Sequence, residues 1–310
     1  MGRRPSVEPT PGLLLVDKPQ GWTSHDVVGR CRRLAGTRKV GHAGTLDPMA
    51  TGLLVLGIGR ATKLLTYITG HDKAYDATIR LGQSTVTDDA EGDVTSSADA
   101  AAVTEQAIAA AVAVLTGDIM QRPSSVSAIK VDGKRSYARV RGGEDVELPA
   151  RPVTVSRFDV GEIRREGDVI DLDVTVEVSS GTYVRALARD LGDALGVGGH
   201  LTALRRTRVG SIPVTDAATL DALSALVEEG EPLPLLPLGA SAAATLTSAT
   251  VGEDDARALG YGQWVEATVG DDGEHLALLD ASGDLVAIGE RRGGKVKPVV
   301  VMKPAGSAAQ

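Results

Sequence analysis

The stretch Gly41-His42-Ala43-Gly44-Thr45-Leu46-Asp47-Pro48-Met49-Ala50-Thr51-Gly52 constrains the fold more than any other part of the chain. Glycine admits backbone conformations that other residues resist, and it lets a ligand or a neighbouring strand approach the main chain. Pro48 pushes the backbone of Asp47 toward extended geometry. Gly52 is followed by Leu53-Leu54-Val55-Leu56, a short apolar run of the kind found in buried strands. The stretch therefore reads as a stiff loop that delivers His42 and Asp47 at the edge of a core element. Loops on a rigid scaffold are where chemistry is usually placed. An ordinary turn in which Asp47 caps a local N–H has the same local signature.

The rest of the chain sets the class of protein. Its 310 residues suffice for one large domain and a small one. A hydrophobic share of 42% with 24% charged residues is ordinary for a soluble globular protein. No apolar run approaches membrane-spanning length. Residues 1–11 are polar and proline-bearing, without an apolar signal region, and read as a flexible tail. A cytoplasmic protein is expected. The one cysteine, Cys31, excludes an intramolecular disulfide and a cysteine metal cluster. It falls in a helical pattern, where packing is its expected role. His25, His42, His71, His200 and His275 lack metal-ligand spacing, so no metal is expected.

The net charge of −8 argues against a nucleic-acid partner until the distribution is considered. Basic residues cluster at Arg30 to Lys39, at Arg122 to Arg141, at Arg205, Arg206 and Arg208, and at Arg291 to Lys297. Any one cluster could be a solvated face. Four of them beside glycine-rich loops point to a phosphate-bearing partner.

In chain order, Gly12 to Val16 reads as a strand running into the turn Asp17-Lys18-Pro19-Gln20-Gly21-Trp22. Thr23 and Asp26 form a capping signal for a helix that ends near Leu34, before Gly36. Lys73 to Gly82 alternates as a strand should, Thr85 to Ala98 reads as an acidic surface loop, and Ala100 to Leu115 as an alanine-rich helix. Two strands follow at Val153 to Glu162 and Asp168 to Val178. Ser179 to Arg185 then opens a helix whose face is Val184, Leu187, Leu191 and Ala194. Arg185 sits in its first turn, against the helix dipole and without an evident local carboxylate, so an external partner is expected, with Asp47 the natural one. Thr215 to Glu229 is another helix, and Pro232 to Pro237 reads as a linker. After it come a short helix at Val251 to Gly260 and strand candidates at Trp264 to Val269, His275 to Leu279, Leu285 to Gly289 and Val296 to Met302, the pattern of a small β-barrel. The expected domains are 12–237 and 238–310.

Six motifs in order carry a resemblance over roughly Gly12 to Ser211. They are Asp17-Lys18-Pro19 with Gly21 and Thr23-Ser24; Gly41 through Gly52; Lys73-Ala74-Tyr75; Ser127-Ala128-Ile129-Lys130 with Gly133 and Tyr137; Gly181-Thr182-Tyr183-Val184-Arg185; and Leu204-Arg205-Arg206-Thr207 with Gly210. Together they resemble the bacterial tRNA pseudouridine-55 synthases of the TruB type, and the C-terminal part resembles a PUA-like RNA-binding domain. Val126 departs from the aromatic that the family commonly carries before Ser-Ala.

The resemblance implies an α+β pseudouridine synthase fold: a central mixed, largely antiparallel β-sheet flanked by helices, plus the small barrel. It implies isomerisation of uridine-55 in the T arm of tRNA, in which C1′–N1 breaks, uracil turns and C1′ joins C5. Nothing is oxidised and no group leaves, so no cofactor is implied. The nucleophilic carboxylate falls on Asp47, the cation that keeps it ionised on Arg185, and the tyrosine that stacks on the flipped uracil on Tyr75. Tyr183 and Leu204 line the pocket, and His42 fills the space left by the base. Lys18 and Lys130 are supports or phosphate contacts. On the residues alone, Tyr75 could be core and His42 a hydrogen-bonded loop residue. Two other readings are an RNA-folding protein whose catalysis is incidental, and a relative that modifies ribosomal RNA within a guide complex; the absence of long basic tails disfavours the latter. Folding-chaperone activity and synthase activity can coexist. A monomer is expected, with no membrane partner.

Overall fold

The structure is a computed structural model that describes residues 10–124, 130–131, 134–135 and 148–304, the two pairs at 130 and 134 as backbone only. The tail at 1–9 and the motif residues Val126 to Ile129, Gly133 and Tyr137 lie outside the described residues.

The strands are β1 (Gly12–Lys18), β2 (Val40–Ala43), β3 (Thr51–Ile58), β4 (Lys73–Leu81), β5 (Gln83–Thr85), β6 (Val94–Ser97) and β7 (Gly117–Gln121). They continue with β8 (Lys130–Val131), β9 (Lys134–Arg135), β10 (Arg151–Glu166), β11 (Val169–Val178), β12 (Gly199–Val209), β13 (Ile212–Pro213), β14 (Ala218–Thr219) and β15 (Leu236–Pro237). The last five are β16 (Thr247–Thr250), β17 (Val265–Glu266), β18 (His275–Leu279), β19 (Leu285–Arg292) and β20 (Lys295–Val301).

The chain divides into two compact units. One comprises residues within Met1–Asp47, Leu53–Gly70 and Gly210–Gln310; the other comprises Pro48–Gly52 and residues within His71–Val209. The division falls inside the glycine loop, so β3 contributes its first two residues to one unit and the rest to the other.

In the first unit β1 pairs parallel with β14 and antiparallel with β15, and β2 and β3 form an antiparallel hairpin. The helix Ser24–Leu34 starts where the capping signal places it. The Asp26 N–H donates to the Thr23 hydroxyl (3.1 Å) and the Thr23 N–H donates to the Asp26 carboxylate (3.0 Å). Val27, Val28 and Cys31 face the core, and burial pushes the Cys31 thiol up to about 12. The segment expected as a linker is not free chain: Leu236 and Pro237 pair with Leu13 and Gly12. Residues 247–301 form a separate five-stranded sheet in the order β16-β18-β19-β20-β17. It packs Leu276, Leu278, Val286 and Val296 on Leu259 of the helix Glu253–Gly260. The sequence missed β16, whose Thr247-Ser248-Ala249-Thr250 has little apolar character.

In the second unit the sheet runs β12-β4-β11-β10-β7, antiparallel throughout, with Thr51 and Gly52 of β3 parallel to β12 at Arg205 and Arg206. The expected mixed, largely antiparallel sheet is thus present. Its buried faces follow the pleat of β11, where Ile170, Leu172, Val174, Val176 and Val178 are buried alternately with half-buried polar residues. The helices Glu105–Val114 and Val184–Ala194 belong to this unit. Thr85 to Ala98 lies largely at the surface, as expected, but it is not plain loop: β5 and β6 make a hairpin, and Thr85 and Asp89 are buried. β12 was also unread as a strand, because Arg205, Arg206 and Arg208 interrupt its apolar alternation.

Candidate active site

Each unit holds its own part of the stretch that links β2 to β3. On the side of the first unit, Ser24 is buried and its hydroxyl spans the backbone of Leu46. The Leu46 N–H donates to Ser24 Oγ (2.8 Å) and Ser24 Oγ donates to the Leu46 carbonyl (3.0 Å). Leu46 is itself buried, so the residue before Asp47 is fixed by packing and by two hydrogen bonds. At the other end Gly52 has φ +94°, and an added Cβ would lie 2.3 Å from the Arg206 carbonyl oxygen. Only glycine permits both that conformation and that approach. Asp47, next to the pinned Leu46, is half-buried.

In the same unit His42 lies on β2 opposite Leu56, half-buried. Lys18 is fully buried, and its ammonium donates to the carbonyls of Pro19 (2.9 Å) and Trp22 (2.6 Å). These bonds brace the turn that precedes the capped helix, in which Trp22 is exposed.

In the second unit Tyr75 sits on β4 between Val176 of β11 and Arg206 of β12, buried to 8%. Leu204 is opposite Ala77 on β12, buried to 9%. Tyr75 and Ala77, two residues apart, share a face of β4. Tyr183 is the N-cap residue of the helix Val184–Ala194, and Arg185 is its second residue. Lys130 opens β8, and its side chain lies outside the described residues.

Arg185 is 4% exposed. Its Nη1 donates to the Thr87 carbonyl (2.7 Å) and lies 3.5 Å from the carboxylate of Asp89, itself 2% exposed. A carboxylate beside Arg185 is thus Asp89. The partner comes from the acidic segment between β5 and β6, nearly a hundred positions away in sequence. A buried cation at a helix start needs such a partner, because burial and the helix dipole both disfavour its charge. One turn on, Arg189 donates to Asp88 (3.2 Å), to Asp190 (2.7 Å) and to the Arg122 carbonyl (2.7 Å). Asp88 holds φ +58°, the one non-glycine residue with positive φ among those described. Burial raises its carboxyl above the ordinary range, partly offset by Arg189 and Arg185. The acidic run from Asp88 to Asp93 was the only sequence signal for this network, and it reads equally as a solvated acidic turn.

Near Tyr75, Lys73 is buried with its ammonium on the His71 carbonyl (2.6 Å). Burial first, and then Arg206, bring it down to about 8.

Several of the basic clusters are committed inside the protein. Arg30 donates to Ser224 (2.8 Å), Arg206 is buried, and Arg208 bridges Asp72 (2.8 Å) and Glu177 (2.7 Å). Arg291 donates to the Val269 carbonyl. Arg33, Arg38, Lys39, Arg122, Arg292, Lys295 and Lys297 are exposed, Arg292 beside Glu290 and Lys295 beside Glu266. Among the described residues no group of side chains has the makings of a metal site, and no helix is long and apolar enough to cross a membrane.

The chain matches the model of the TruB family pseudouridylate synthase N-terminal domain over residues 32–184. It matches that of the tRNA pseudouridylate synthase B C-terminal domain over 185–235, and that of the tRNA pseudouridine synthase II C-terminal domain over 247–303. It is 61% identical to the tRNA pseudouridine synthase B of Arthrobacter sp., covering 94% of this chain and 97% of that one. It is 58% identical to the protein of the same name from Rhodococcus jostii, covering 95% and 94%. Among solved structures it resembles a chain of a Cbf5-Nop10-Gar1 complex, with TM-score 0.72 and 27% identity over 95% of this chain and 85% of that one. A similar match is to a chain of an H/ACA RNP bound to a substrate RNA containing 2′-deoxyuridine, with TM-score 0.71 and 25% identity over 95% and 86%. The chain belongs to the TruB family of pseudouridylate synthases.

Proposed function

We propose that this enzyme converts uridine-55 in the T arm of tRNA to pseudouridine, with Asp47 as the nucleophile. The observation that carries the reading is the pinning of Leu46, the residue before Asp47, by its two hydrogen bonds with the buried Ser24 hydroxyl. A nucleophile must be held within a fraction of an ångström of its target, and a carboxylate next to a pinned, buried residue meets that need. The names of the relatives support tRNA as substrate.

A uridine inside a folded loop is out of reach and must be flipped out, at a cost of roughly a few kcal/mol. Stacking on Tyr75 returns roughly 1–3 kcal/mol of that. Tyr183 and Leu204 line the pocket around the base, and His42 takes the space it leaves. The Asp47 carboxylate then attacks C1′ or removes a proton to form a glycal; both routes start from the anion, which Arg185 stabilises. On the first route C1′–N1 breaks as the Asp47 ester forms, uracil turns, and the ester C–O bond at C1′ breaks as C1′ joins C5; on the second, C1′–N1 breaks as C2′ loses its proton to Asp47, uracil turns, and C2′ regains that proton as C1′ joins C5. The proton on C5 leaves last, with Tyr75 assisting. N1 takes up a proton as C5 gives one up, so the composition is unchanged and the residues need supply only position, charge and a proton path. Lys130 is assigned to a phosphate contact and Lys18 to support of the Trp22 turn. The protein works in the cytoplasm, as a monomer, and residues 238–310 form its accessory RNA-binding domain.

The test is Asp47→Asn. Product formation on a tRNA transcript should vanish while tRNA affinity and the melting temperature stay near wild type. Turnover close to wild type in that variant would remove Asp47 from the role. A wild-type protein that modifies a uridine elsewhere in tRNA would overturn the position assigned.

A further inference from the structure

We infer that Gln121 and Arg151, a cross-strand pair on β7 and β10, form a clamp that presets Tyr183, and that they are positioning residues for the reaction proposed above. The two are register partners. Both reach the same point of the chain, the turn Gly181-Thr182-Tyr183 that opens the helix Val184–Ala194.

Gln121 takes the backbone of Tyr183. Its amide nitrogen donates to the Tyr183 carbonyl (3.1 Å), and its amide oxygen accepts from the Tyr183 N–H (2.9 Å). This reproduces with a side chain the paired bonds of a β-bridge. Gln121 is fully buried, so the amide has no rotational alternative that keeps both bonds. Tyr183 has no side-chain cap of its own, and Gln121 satisfies a helix-terminal N–H that would otherwise stand open.

Arg151 takes the ring. Its guanidinium carbon lies 5.0 Å from the Tyr183 ring centroid, and Nη2 donates to the Gly181 carbonyl. Gly181 has φ +90°, which turns that carbonyl toward the guanidinium. The plane of the guanidinium is thus fixed by one hydrogen bond while its charge sits against the ring. Arg151 Nε is buried and has no acceptor among the described residues. The side chain is therefore placed to serve the ring rather than to satisfy its own donors.

Backbone and ring of one tyrosine are held independently, from two adjacent strands. Tyr183 has few rotamers left, and its exposed edge is offered in a single orientation. Two residues on, Arg185 leaves the same helix turn, so the clamp also fixes where that turn begins. Neither Gln121 nor Arg151 belongs to the six sequence motifs.

The experiment measures single-turnover pseudouridine formation and tRNA affinity for wild type, Arg151→Met, Arg151→Lys, Tyr183→Leu and the double variant Arg151→Met/Tyr183→Leu. Arg151→Met keeps the length and apolar stem but loses charge and fork. Misplacing a pocket wall by a fraction of an ångström should slow the chemical step by about ten- to a hundredfold. Affinity should stay within about twofold, since no group that binds a phosphate is removed. Arg151→Lys should recover part of the rate, because a cation remains near the ring. In the Tyr183→Leu background, Arg151→Met should add no further loss, as expected of two residues acting as one unit. A wild-type rate in Arg151→Met, a loss confined to affinity, or an equal loss in both backgrounds would each overturn the clamp.

If the wild-type protein modifies no tRNA, the functional reading fails and the clamp is judged by NMR. The Tyr183 ring signals, assigned by their disappearance in Tyr183→Leu, should move and sharpen in Arg151→Met as the ring begins to flip freely. Unchanged signals would remove the clamp whatever the substrate.

Discussion

Ser24 does more for the site than its place in a capped helix suggests. Its hydroxyl bonds both backbone groups of buried Leu46, next to Asp47. Ser24→Ala leaves that N–H buried and unsatisfied, which costs about 1–3 kcal/mol. A lower melting temperature with a larger fall in kcat than in tRNA affinity is the expected result; an unchanged kcat would show that the loop holds Asp47 without Ser24. Arg185 and Asp89 make a second such pair. Arg185→Met strands a carboxylate that is 2% exposed, so the variant should lose about 3–5 kcal/mol of stability besides its activity. Adding Asp89→Asn should restore part of the stability and none of the activity, as thermal unfolding and a pseudouridine assay will report. Lys73 gives a pH signature. Its folded value, about 8, lies below the ordinary 10.5, so the unfolded chain binds more protons between those limits. Its contribution to stability therefore rises as pH climbs from about 8 toward 10.5. Cys31, pushed up to about 12, works in the opposite sense above its ordinary 9, so the comparison should be made between wild type and Lys73→Met. The difference in stability between the two should change across that window, and a constant difference would contradict the assignment. Asp47 and Arg185 stand out as candidates in the sequence because each sits in a dense motif. Asp89 does not, because an acidic turn looks the same whether solvated or buried against an arginine.

At the level of elements, local chemistry was read well where it is self-contained. The helix Ser24–Leu34 carries its start signal in Thr23 and Asp26 and its stop in Gly36, whose φ is +60°. Thr23→Ala should cost about 1 kcal/mol, since the hydroxyl's bonds with the Asp26 N–H and the Asp26 carboxylate go while the Thr23 N–H keeps its bond to that carboxylate. β11 was equally plain, because one face is buried and the other is not. Elements that depend on neighbours were missed. β12 carries Arg206 at a buried position, which no hydrophobic period announces. β15 looked like a linker because Pro and Leu alternate there, and only its pairing with β1 makes it a strand. Gly52→Ala tests the join between β3 and β12. It forces a Cβ onto the Arg206 carbonyl at a positive φ, so a marked fall in melting temperature and loss of activity are expected.

For the whole molecule, the accessory role of residues 238–310 is open to a truncation after Pro237. The segment is not detached from the N-terminal part of its own unit. Arg60 donates to the Met302 carbonyl (2.8 Å), Lys63 to that of Val301 (3.4 Å), and the Tyr67 and His275 rings lie 5.2 Å apart. The truncated chain should keep activity at saturating tRNA, melt lower, and bind tRNA more weakly. Its salt slope should be lower by about 0.9 for each phosphate that the segment neutralises in the full chain. An unchanged affinity and slope would show that the segment does not hold RNA. The sequence by itself determined the family and its sheet with flanking helices, together with the loop that carries Asp47. Those depend on local signals: glycine where φ must be positive, proline before a fixed turn, alternation where one face is buried. Only the tertiary structure decided which charges are balanced by which. Asp89 reaches Arg185, Arg208 reaches Asp72 and Glu177, and Gln121 with Arg151 closes on Tyr183 across many intervening residues. A charge or an amide has no periodicity that names its partner; burial and distance do that, and they exist only once the chain has folded.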